Sequence, residues 1–74
     1  MTDFYILASK RASKSLAEKD YAKLKDHGLI TTLVPDENDL YEIRVTLGTK
    51  HDNYDDLLDD VKVIGFTDAK IVEY

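Results

Sequence analysis

Tyr41-Glu42-Ile43-Arg44-Val45-Thr46-Leu47 alternates apolar and polar side chains over seven residues, the period of a strand with one face in a core and the other in water. Tyr41, Ile43, Val45 and Leu47 are expected to point inward, which leaves Glu42, Arg44 and Thr46 on the opposite face. Gly48 ends the stretch. Before it, Pro35-Asp36-Glu37-Asn38-Asp39 forms a turn whose proline and Asx residues stop strand pairing.

Working outward, Leu29 to Val34 reads as a strand on the near side of that turn. Phe4-Tyr5-Ile6-Leu7-Ala8 is an apolar run of aromatic and β-branched residues, bounded by Thr2-Asp3 and Ser9-Lys10-Arg11. It is predicted to be a buried, central strand. Between these two strands the period changes: Ala17, Tyr21, Leu24 and Gly28 form one stripe of a helix over about residues 14–27. Ser15 and Glu18 fit a capping box, and Gly28 suits the left-handed residue that closes a helix. Downstream, Tyr54, Leu57, Leu58, Val61 and Ile64 make a second stripe, capped by Asp52 or Asn53 and closed by Gly65. Thr67 to Tyr74 supplies the last strand.

The order is therefore βαββαβ. Right-handed crossovers with both helices on one face give an α+β, ferredoxin-like (split βαβ) domain spanning residues 1–74. Its four-stranded antiparallel sheet has strand order 4-1-3-2 and one uncovered face. Function in such a small domain is expected on that bare face or in the loops at its edges.

Composition narrows the function classes. The chain has no cysteine, which removes disulfides, thiolate nucleophiles and thiolate metal sites. It holds neither an apolar run long enough to span a bilayer nor a signal or anchor pattern, so no membrane insertion is expected. Net charge is −5, the wrong sign for neutralising phosphates, and nucleic acid is not expected as a partner. His27 and His51 lack the partners of a catalytic set, and His27 near a helix C-terminus has a structural reading. Arg11 stands near the place where an acylphosphatase holds an arginine, without the glycine-rich anion loop. Asp36, Asp39 and the aspartates of the second helix lack the spacing of an EF-hand loop and read as solvated surface. The expectation is a non-catalytic binding module with no cofactor and no metal.

Arg44, a planar donor fork in the middle of a central strand, is either an ion-pair partner of a neighbour such as Glu42 or a ligand contact. Four motifs resemble the SPOR domain family, bacterial envelope modules of βαββαβ fold. They are Phe4-Tyr5-Ile6-Leu7-Ala8-Ser9, Ala17-Glu18 with Leu24 and Gly28, Ile43-Arg44-Val45-Thr46-Leu47-Gly48, and Gly65-Phe66-Thr67-Asp68-Ala69-Lys70-Ile71-Val72. The resemblance implies binding of peptidoglycan glycan strands stripped of stem peptides, typically at division septa, and a place in the periplasm or cell envelope. It puts Ser9 and Arg44 among the ligand-binding residues. Ile6 stands where the family often has glutamine, and Glu42 where it often has an aromatic residue. With Thr46, these form the expected site, in a face where Phe4, Ile6, Ile30, Val34 and Val72 surround Arg44. An envelope protein bound on the same face is the alternative. A single-stranded RNA binder is the third reading, with no ring on strand three to stack a base.

Overall fold

The structure, a computed structural model, describes residues 3–74; Thr2, read as part of the boundary before the first strand, lies outside them. The elements are β1 (Phe4–Arg11), α1 (Lys14–Asp26), β2 (Ile30–Pro35), β3 (Tyr41–Thr46), α2 (Tyr54–Ile64) and β4 (Lys70–Glu73). All pairings are antiparallel and the order is β2-β3-β1-β4, as the sequence predicts.

Both helices pack on the same side of the sheet, because each delivers an apolar stripe to one core. Ala17 and Leu24 of α1 and Leu57 and Val61 of α2 are buried with Ile6, Ile43 and Val45 of the central strands. Complete burial of an Ile, Leu or Val side chain contributes roughly 1.5–3 kcal/mol. Those few residues therefore dominate a stability of roughly 4–11 kcal/mol for a domain of this length.

Helix ends follow local chemistry. Ser13, not Ser15, is the N-cap of α1, its hydroxyl accepting from the Leu16 amide. Asn53 caps α2 through the Asp56 amide at 2.9 Å. The Gly65-Phe66-Thr67-Asp68-Ala69 motif is a device for leaving α2. Gly65 takes φ +134°, the Phe66 amide returns to the Val61 carbonyl, and the Ala69 amide closes a turn on the Phe66 carbonyl. Phe66 and Ala69 are buried, so this motif is anchored by packing and delivers the chain to β4.

β1 is longer than its apolar run and carries an irregularity. Leu7 pairs with Arg44, but Ser9 pairs with the adjacent Ile43, which leaves Ala8 as an extra residue. Such a bulge resets the alternation of side chains after it. Tyr54 of α2 ties the far end together: its hydroxyl donates to the Phe4 carbonyl at 2.8 Å and accepts from the Leu47 amide at 3.3 Å.

Candidate functional site on the open sheet face

β3 alternates as expected. Ile43 and Val45 are fully buried under the helices, so Glu42, Arg44 and Thr46 lie on the other face. Cross-strand register assigns the neighbours, since directly opposed residues share a face. Arg44 has Leu7 on one side and Thr32 on the other, and Leu7 in turn faces Lys70. A single row, Lys70–Leu7–Arg44–Thr32, thus crosses the whole sheet. Tyr5 with Val72 lies on one flank of it, and Lys10, Glu42 and Val34 on the other.

Two of the expected site residues are elsewhere. Ile6 is wholly buried, opposite Val45 and Ile71 on the helix side, because the core needs a large apolar group at the centre of β1. Phe4 follows the same parity and packs its ring 5.9 Å from that of Tyr54. Ser9 is turned to the helix side by the Ala8 bulge. Its hydroxyl donates to Asp20 of α1 at 2.8 Å, and Arg11 donates to the same oxygen at 2.7 Å. The guanidinium raised in connection with acylphosphatases is therefore engaged by a structural carboxylate, and its pKa is raised by that hydrogen bond and by the Asp20 charge. An Asp20→Ala variant should lose about 0.5–1.5 kcal/mol, the net contribution of a hydrogen bond whose partners water can still reach. Urea denaturation of the variant measures it, and a change within error would mean that Ser9 and Arg11 do not depend on Asp20.

The residue that the sequence reading missed is Tyr5. Its ring lies on the open face with the Arg44 guanidinium carbon 4.3 Å from the ring centroid, and the Tyr74 ring is 5.3 Å away. The first strand thus supplies the aromatic surface that β3 lacks. Parity was the available signal: with Ile6 assigned to the core, Tyr5 and Leu7 must face outward.

Glu42 organises the cations around it. One oxygen accepts from Arg44 Nε at 3.0 Å and lies 2.9 Å from a terminal guanidinium nitrogen, while the other is 3.3 Å from Lys10 Nζ. Lys10 is also 3.3 Å from Asp36 in the β2–β3 turn. Of the two alternatives for Arg44, the structure contains the ion pair within β3, and the paired guanidinium also lies over the Tyr5 ring. Thr46 is half-buried at the end of β3, opposite the exposed Ile30.

Hydrogen bonds to Glu42 and Asp36 raise the Lys10 pKa above 10.5. Asp36 is held below 3.8, first by the Glu37 amide and then by Lys10. A depressed carboxylate stabilises the fold above its unfolded value, and that contribution disappears as pH falls through the lower folded value. The raised Lys10 value works in the opposite sense, present below 10.5 and lost as pH climbs through its higher folded value. An Asp36→Asn variant should therefore melt slightly below wild type near neutral pH, with the difference closing in strong acid. Thermal melts across pH check this, and a gap constant from neutral to strongly acidic pH would contradict it.

His27 Nδ1 donates to the Lys23 carbonyl at 2.8 Å and closes α1. His51 Nε2 lies 2.7 Å from Asp60. Among the described residues no group of three His, Cys, Asp or Glu side chains is arranged to hold a metal ion, and no helix is long and apolar enough to cross a membrane. Two shallow clefts sit at opposite ends of the sheet, one by Lys10, Arg11 and Phe66 and one by Gly28, Thr46 and His51.

No protein-family model matches the chain, and no curated protein matches it in sequence. Among solved structures, the chain is similar to the solution structure of the peptidoglycan binding domain of the B. subtilis cell wall lytic enzyme CwlC. The two superpose with a TM-score of 0.77 at 20% identity, over 96% of this chain and 87% of the other. At that identity the likeness is one of fold: four antiparallel strands in one sheet with two helices.

Proposed function

We propose that this chain is a non-catalytic, SPOR-like module of the bacterial cell envelope that binds peptidoglycan, and that its ligand is glycan stripped of stem peptides. The observation that carries the proposal is the open sheet face with the Arg44 guanidinium over the Tyr5 ring. It combines hydrogen-bond donors with apolar area from Leu7, Val34 and Val72 in one surface, and sugar rings offer both hydroxyls and apolar C–H faces. The similar fold of a domain whose name records peptidoglycan binding supports the reading, as do the four motifs in the sequence.

In this reading Arg44 and Thr46 contact the glycan, Glu42 positions Arg44 and Lys10, and Ser9 acts only through the β1–α1 junction. Ile6 supports the sheet from beneath. The test is co-sedimentation of the domain with sacculi before and after amidase digestion. Retention that rises with removal of stem peptides is expected, whereas absence of the domain from both pellets would overturn the proposal.

A second reading, an envelope protein as partner on the same face, is favoured by the 54% exposure of Ile30 beside that surface. Retention of a defined protein, instead of sacculi, from an envelope extract would select it.

A further inference from the structure

The ionisable groups of the open face are unlike those of the whole molecule. The chain carries 10 Lys and Arg against 15 Asp and Glu, yet the strand residues of this face comprise the cations Lys10, Arg44 and Lys70 and the acid Glu42. Lys10 is neutralised by Glu42 and Asp36, and Arg44 by Glu42. Lys70 is exposed and, among the described residues, makes no ion pair on this face.

Its direction is fixed from two sides. Ile71 packs against the core, so Lys70 points away from the helices, and it stands opposite Leu7. Lys70 and Arg44 are two strands apart in the row, roughly 10 Å at the usual strand spacing, with the apolar Leu7 between them. A face whose other charges are internally paired, but which keeps one free ammonium at its edge, is complementary to a mostly neutral ligand bearing an isolated anion.

We infer that Lys70 is a specificity-determining residue that reads a carboxylate on the glycan. This rests on the glycan reading above. Hydrolysis of the amide that joins the stem peptide to the lactyl group of a muramic acid residue leaves a free carboxylate there. The same position in an intact strand is an uncharged amide carrying a peptide. Discrimination for stripped strands then has an attractive component at Lys70, in addition to the removal of bulk.

The test uses the domain and two pools of amidase-digested glycan oligosaccharides, one with free lactyl carboxylates and one with the same carboxyls converted to methylamides. Wild type should bind the free-acid pool about tenfold more tightly, the scale of a charge-assisted hydrogen bond. Lys70→Gln should bind both pools alike, at the level of wild type with the methylamide, and with an unchanged melting temperature. Lys70→Glu should prefer the methylamide. Equal affinity of wild type for both pools, or an undiminished preference in Lys70→Gln, overturns the assignment while leaving glycan binding intact. Failure of wild type to bind either pool overturns the glycan reading and this inference with it.

Discussion

An Ile6→Ala variant is expected to lose about 2–5 kcal/mol, the range for emptying a fully enclosed aliphatic site. Ile6 is 0% exposed and lies between Val45 and Ile71 in the sheet, under both helices. Set against roughly 4–11 kcal/mol in total, the loss could leave a substantial unfolded fraction at ambient temperature. Were Ile6 on the open face, the same truncation would remove a solvent-facing contact and cost well under about 1 kcal/mol. Leu7→Ala, one residue along and half-buried on the other face, should be clearly the milder change. Urea denaturation of the two variants decides between the placements: equal, small losses would contradict a buried Ile6.

Arg44→Ala should do the reverse, leaving the fold nearly intact and abolishing most retention on stripped glycan. Its structural contributions are a contact with Tyr5 and a pair with Glu42, each on the order of 0.2–1 kcal/mol at such partly exposed sites. Glu42 keeps Lys10 as a partner after the change. Binding, in contrast, loses a planar donor at the centre of the face, about 1.5–3 kcal/mol or roughly ten- to hundredfold in affinity. Arg44→Lys should recover little, because an ammonium lacks the planar fork of donors that a guanidinium presents. Affinity for amidase-digested strands, with melting temperature as control, checks the split. An Arg44→Ala domain that is retained like wild type would remove Arg44 from the site.

The contrast between Ile6 and Arg44 also shows where the sequence is legible. β3 alternates strictly, so the faces of Glu42, Ile43, Arg44 and Val45 could be read from one residue to the next. The helices declare themselves through stripes ending at Gly28 and Gly65, two residues with positive φ. The strand order then follows from crossover handedness. Phe4 to Ala8 is apolar throughout and has no phase of its own, so its inward and outward residues are set by partners on β3 and β4. The expected placement of both Ile6 and Ser9 on the open face already conflicts with simple alternation, since they are three residues apart. The Ala8 bulge, which no local signal announces, resolves the conflict by sending both to the helix side. Tyr5 is not marked out by its local sequence for the same reason, nor is the Tyr5–Arg44–Glu42–Lys10 arrangement, which needs two strands in register to exist.

The central claim, that a ligand meets the face turned away from the helices, is tested most directly by backbone and side-chain NMR shifts during titration with amidase-digested glycan oligosaccharides. The largest perturbations should fall on Tyr5, Leu7, Thr32, Arg44 and Lys70, one continuous surface across all four strands. Perturbations concentrated instead on α1 and α2, or around Ser9, Arg11 and Asp20, would contradict it.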